Sequence, residues 1–182
     1  MRIISGIHKG RQLQAPGKLP VRPTTDRAKE ALFNYLAHRF DLEEVSVLDL
    51  FAGTGNISYE FASRGTKSIL AVDIHPACIS YIRSTASALG MNQLETKQVD
   101  VFKWIAKSQG QWDLIFADPP YAHASLKELP GMVLNNGLLK EDGLLILEHP
   151  SHHNFESESC FVEARAYGQS VFSIFSPEVS SQ

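Results

Sequence analysis

Short apolar runs recur along the chain, and most of them end in an acid that is followed by a stretch with helical spacing. Val45-Ser46-Val47-Leu48-Asp49-Leu50 reads as the first core strand, Lys67 to Asp73 as a second, Leu94 to Val99 as a third, Trp112 to Ala117 as a buried fourth and Gly143 to Glu148 as a fifth. The segments between them predict helices: one to about Ser63, one over roughly 76–89 opened by Pro76 and closed by Gly90, a short one carrying Phe102, Trp104 and Ile105, and one over about 124–135. Strands alternating with helices predict an α/β fold, a mostly parallel sheet with helices on both faces. Two later apolar runs, around 159–165 and 170–176, flank Tyr167-Gly168-Gln169 and predict a closing antiparallel hairpin. Ahead of the first core strand, residues 2–4 and 11–14 predict a small hairpin around Gly6 and Gly10. Pro23-Thr24-Thr25-Asp26 then starts a helix whose apolar face carries Ala28, Ala31, Leu32, Tyr35 and Leu36. Leu42-Glu43-Glu44 is a polar junction, so residues 1–41 read as an extension and 42–182 as the body.

The acids at the strand ends carry the chemistry. Asp49, Asp73, Asp100 and Asp118 stand where four predicted strands give way to loops. One Asp in such a place is usually a turn former or helix cap. Four together point to a site, because ligands of parallel α/β sheets bind beyond the carboxyl ends of the strands. Phe51-Ala52-Gly53-Thr54-Gly55 follows the first strand, and glycines there let the backbone approach a ligand closely. The full dinucleotide fingerprint is absent, since Ser58 stands three positions after Gly55, and no Gly-Lys-Ser/Thr follows as a P-loop needs. Asp73 lies 18 positions after Gly55, near the spacing at which an acid reaches ribose hydroxyls.

Asp118-Pro119-Pro120-Tyr121 is the stretch around which the rest is arranged. The prolines fix their own φ angles and push the residue before each away from helical geometry. Carbonyl acceptors, a carboxylate and the Tyr121 ring therefore sit together, a set that suits a planar group with an exocyclic amine. The same stretch also reads as a proline-rich strand exit with a surface Asp.

Charge adds a partner. The total is −3, yet residues 1–39 hold eight basic residues against Asp26 and Glu30, which leaves +6 there and −9 in the remainder. A basic arm on an acidic body points to a polyanion. Arg22, Arg27 and Lys29 cluster near a helix start, and with Thr25 and Arg11 they form a candidate phosphate site. The 182 residues, 43% hydrophobic and 20% charged, fit one globular domain with a core. No apolar run reaches membrane-spanning length, and Cys78 and Cys160 show no C-x-x-C spacing, so a reduced, cytoplasmic setting and a monomer are the expectation.

Asp49-Leu-Phe-Ala-Gly-Thr-Gly55 resembles the first motif of class I S-adenosylmethionine-dependent methyltransferases, and Asp118-Pro-Pro-Tyr121 resembles their amino-group motif. Arg2-Ile3-Ile4-Ser5-Gly6, Gly10-Arg11, Arg22-Pro23-Thr24-Thr25-Asp26-Arg27 and Ala31-Leu32-Phe33-Asn34 resemble the RsmD family, whose members methylate the N2 amine of a guanine in 16S ribosomal RNA. The resemblance runs from Arg2 to about Gly168. It implies a Rossmann-like fold, S-adenosyl-L-methionine as cofactor with S-adenosyl-L-homocysteine as product, and 16S ribosomal RNA as partner, within a 30S subunit or an assembly intermediate. It also implies roles: Asp49, Gly53 and Gly55 under the methionine part, Asp73 at the ribose hydroxyls and Asp100 at the adenine amine. Asp118, Pro119 and Tyr121 would be the catalytic set, Asp118 touching the cofactor as well. Phe51 reads equally as a cofactor contact or a packing residue.

Other readings remain open: methylation of adenine N6 or another amine, and a silent RNA-binding protein on the same scaffold. His149, His152 and His153 read as a surface loop with no metal-ligand spacing, His75 as an exposed helix-start residue, and Trp104 and Trp112 as core.

Overall fold

A computed structural model describes residues 1–15, 17, 25–168 and 170–177. Among these, seven strands form one sheet in the order β3-β2-β1-β4-β5-β7-β6. The strands are β1 (Ser46–Leu50), β2 (Ser68–Asp73), β3 (Leu94–Gln98), β4 (Trp112–Ala117), β5 (Leu139–Pro150), β6 (Phe161–Tyr167) and β7 (Ser170–Phe175). The first five pair in parallel, and β7 and β6 close the sheet antiparallel. This is the Rossmann-like methyltransferase architecture that the motifs imply.

The central strands β1, β4 and β5 are buried on both faces because helices cover both, whereas the edge strand β3 is polar and mostly exposed. Val47, Leu114 and Ile146 join one buried cluster, while Leu48, Ile115 and Leu145 join a second on the opposite face. The first is closed by α1 (Asp26–Ala37), α2 (Asn56–Ser63) and α3 (Pro76–Leu89), the second by α4 (Val101–Ile105) and α5 (Leu129–Asn135). The caps are those that the residue types favour. Thr25 Oγ1 accepts from the Ala28 N–H at 3.2 Å, Pro76 opens α3, and Gly90 ends it at φ +66°.

The chain runs outward from β1 through β2 to β3, then returns to add β4 on the other side of β1. The strand order reverses between β1 and β4, and a crevice opens there at their carboxyl ends. Asp49 and Asp118 both lie at that point.

The N-terminal segment packs onto the same core. Ile3 is buried, and Arg2 bridges to Gln12, as the expected hairpin requires. Glu60 on α2 accepts from the Ile4 and Ser5 N–H groups at 2.8 and 3.0 Å. Gly6, at φ +80°, lies so close to α2 that a Cβ would sit 1.8 Å from the Ser63 carbonyl oxygen.

Three expectations need correction. The helix over 124–135 is a 3₁₀ turn at Ala124–Leu126 followed by α5, because Pro130 fits only the first turn of a helix. His149 is no loop residue: it lies 1% exposed within β5, with Nε2 2.7 Å from the Ser173 hydroxyl of β7. Trp104 and Trp112 are half-buried at the edge of the second cluster, with ring centroids 6.1 Å apart.

Candidate functional site

Each strand end delivers its acid to one cavity of about 520 Å³. Asp49, Asp73, Asp100 and Asp118 all line it, with Phe51, Gly53, Pro119, Tyr121 and Thr25. Parallel strands end at one level, so residues spread over 70 positions of chain converge there. The volume falls in the range of roughly 300–1,000 Å³ that small-molecule sites occupy.

The glycine loop is held by an acid. Asp73 Oδ2 accepts from the Gly53 N–H at 2.8 Å, and Oδ1 accepts from the His75 N–H at 2.7 Å. Asp73 thus ties the loop after β1 to the loop after β2 and keeps further lone pairs on both oxygens. Phe51 takes φ +61°, an uncommon conformation for a bulky residue that costs on the order of 1–3 kcal/mol. Its ring lies 5.3 Å from that of Phe102, which stacks on His123 at 4.1 Å. Gly55 is not among the lining residues. It caps α2 at φ +82°, where a Cβ would meet Ile82 and Tyr59 at 2.9–3.0 Å.

The acids differ in environment. Asp49 is 2% exposed and accepts from the Ser58 hydroxyl of α2. Burial pushes its pKa up to about 7, nearby Asp73 adds to this, and the Ser58 hydrogen bonds oppose it. Asp100 is the N-cap of α4, accepting from the Lys103 N–H at 3.3 Å, and that bond leads the causes that hold its carboxyl below the ordinary range. Asp118 is half-buried, and its N–H donates to the Leu50 carbonyl at 3.4 Å, which fastens the strand exit to β1. Pro119 is buried and Pro120 exposed, and the Pro120 carbonyl accepts from the His123 N–H at 2.8 Å.

Several lining residues fall outside the expected set. Phe102 and His123 build an aromatic wall, and Glu148 at the end of β5 forms part of the cavity at 3% exposure. Glu148 was legible by the strand-end rule, since the fifth apolar run ends in it. Phe102 and His123 are 21 positions apart and share no local pattern. His75 also lines the cavity, and its Nδ1 is shielded from water without a hydrogen-bond partner among the described residues. It is the N-cap of α3, as expected, but half-buried rather than exposed.

The expected phosphate contacts divide, and Lys29 drops out of the set: it is buried against Glu60. Exposed Arg27 lines a second cavity of about 390 Å³ with Tyr167 and Ala28, and this cavity shares Thr25 and Ser170 with the first. Arg11 is exposed on the N-terminal segment, away from the lining of both. Arg22 lies outside the described residues.

The chain is similar to known proteins in sequence and fold. The putative rRNA methyltransferase YlbH of Bacillus subtilis (strain 168) is 36% identical over 157 residues, covering 82% of each chain. Ribosomal RNA small subunit methyltransferase D of Escherichia coli (strain K12) is 29% identical over 148 residues, covering 81% of this chain and 74% of its own. The solved structure of a hypothetical protein of Thermus thermophilus superposes with a TM-score of 0.85 at 29% identity, covering 97% of this chain and 99% of its own. A family model described as conserved hypothetical protein 95 matches residues 1–176, and the chain therefore belongs to that family, the RsmD family.

Proposed function

We propose that this chain is a ribosomal RNA methyltransferase that moves a methyl group from S-adenosylmethionine to the N2 amine of a guanine in small-subunit RNA. Relatives named as small-subunit rRNA methyltransferases support the reaction class. The observation that carries the acceptor chemistry is the Asp118-Pro119-Pro120-Tyr121 exit of β4, which walls the cavity next to the Asp73-held glycine loop that follows the neighbouring β1.

The residues fit the cofactor. Ile74, 62% exposed though apolar, and Phe102 offer flat apolar surface for an adenine. Asp73 and Asp100 stand beside them with acceptor oxygens for ribose hydroxyls and an amine, and the unpartnered His75 Nδ1 suits a hydroxyl. The bound cofactor supplies an electrophilic methyl group on a sulfonium.

The chain's own residues handle the amine. Guanine N2 is a weak nucleophile because its lone pair is delocalised into the ring. Asp118 and the Pro119 carbonyl accept its two hydrogens and turn the lone pair out of the ring plane. Orientation of this kind is worth up to roughly 7–11 kcal/mol of barrier. Asp118 is placed to take the proton that leaves after transfer. Tyr121 stacks on the base, which is extruded from its RNA context to reach the cavity. Arg27, Thr25, Arg22 and Arg11 meet the backbone phosphates.

The test is transfer of labelled methyl to small subunits from cells lacking the modification, with nucleoside analysis. Labelled N2-methylguanosine is the expected product. Label in N6-methyladenosine alone, or no label with cofactor bound, overturns the proposal.

A further inference from the structure

Glu148 is an acid of the cavity that the reaction above leaves without a role. It ends a run of Leu145, Ile146 and Leu147 in β5, where an apolar residue would be the ordinary choice. It is 3% exposed, yet it lines the cavity. Its backbone is fixed by pairing with Phe172 of β7. β4 and β5 run in parallel with Ala117 opposite Leu147, so Asp118 and Glu148 are the next residues along two neighbouring segments, and paired strands of a sheet lie about 4.8 Å apart. Ala117 and Leu147 belong to the cluster under α4 and α5. Alternation along a strand turns the next residue to the other face, so both acids share a face and both reach the cavity.

Resting on the N2-guanine reading, we infer that Glu148 reads the guanine N1–H and so sets the choice of base. The edge of guanine that carries N2 presents three donors in a row, two on N2 and one on N1. Asp118, the Pro119 carbonyl and Glu148 present three acceptors. Glu148 has interactions of its own within the protein, and a carboxylate with about four lone-pair sites keeps capacity for the base. Adenine offers two donors on N6 and then a lone pair on N1, which would face an anionic acceptor. A site built around a substrate N–H rejects an analogue lacking it by up to about 10⁴-fold.

The test uses small subunits reconstituted with RNA that carries either guanine or 2-aminopurine at the methylated position. 2-Aminopurine keeps the amine and replaces N1–H with a lone pair. The wild-type chain is expected to methylate it at least 100-fold more slowly than guanine. Glu148→Gln, whose amide can donate to N1, is expected to narrow that preference at least tenfold while binding cofactor normally. Glu148→Ala, expected to lose the preference, takes its place if the Gln variant does not bind cofactor. Equal wild-type rates on both bases overturn the inference, as does a wild-type preference kept by a variant that binds cofactor. Absence of any transfer to guanine by the wild type is the separate failure of the N2-guanine reading, and the inference falls with it.

Discussion

Lys29 Nζ lies 3.4 Å from Glu60 Oε2, and neither side chain is more than 1% exposed. Lys29 also donates to the Arg2 carbonyl at 2.6 Å and to Asn56 Oδ1 at 2.9 Å, while Glu60 accepts from Ile4, Ser5 and Arg64. Burial pulls the Lys29 pKa down, and Glu60 opposes this. The pair therefore joins three elements: the N-terminal segment, α1 and the helix that follows the glycine loop. Residues 2–5 of the N-terminal segment are thereby bonded to the core at Arg2, Ile4 and Ser5.

Glu60→Ala is expected to destabilise the fold by about 3–5 kcal/mol, because it leaves Lys29 buried without its counter-charge. Denaturant unfolding reads the stability. Hydrogen exchange at the Ile4 and Ser5 amides should accelerate more than at the β1 amides. Equal protection of the segment in the variant would mean that the pair does not anchor it.

Asp49 makes stability depend on pH in an unusual direction. Its folded pKa of about 7 lies above the ordinary 3.8, so the folded state binds more protons than the unfolded state between those values. Its contribution is fully present below pH 4 and is lost as pH rises through 7. Against Asp49→Asn, the wild type should therefore lose stability between about pH 5 and pH 8, by a few kcal/mol at most. Parallel denaturant curves at the two pH values check this, and a constant difference between the two proteins contradicts it.

Arg27, exposed at the second cavity, should act through charge rather than base identity. Replacing Arg22 and Arg27 with Ala is expected to weaken RNA binding and to flatten its salt dependence by up to about 0.7–0.9 per lost phosphate contact. Affinity measured across a salt series reads the slope. An unchanged slope means that these arginines do not meet the backbone.

β1, β4 and β5 were legible because parallel strands buried on both faces read as near-continuous apolar runs with an acid at or beside the end, whereas the polar edge strand β3 was legible only from Gly90 before it and Asp100 after it. The N-cap Thr25 and the Pro76 and Gly90 boundaries were legible for the same local reason. What depends on distant partners was not. Lys29 sits on the apolar face of α1, and only Glu60 from α2 explains it. His149 reads as a loop residue until β7 supplies Ser173. Phe102 becomes part of a wall only when His123 stacks on it. The split of 124–135 was visible in Pro130, whose place in a first turn rules out an unbroken helix through it.

Under the proposed function Asp118 orients the acceptor amine, and its contact with the cofactor contributes little to holding the cofactor. The direct measurement is single-turnover methyl transfer to unmodified small subunits by the wild type and by Asp118→Ala, with cofactor affinity measured by calorimetry on the same preparations. The expected outcome is a fall in the transfer rate of at least about 100-fold with cofactor affinity changed by less than about threefold. A near-normal transfer rate, or a loss of cofactor binding that accounts for the whole defect, would remove Asp118 from that role.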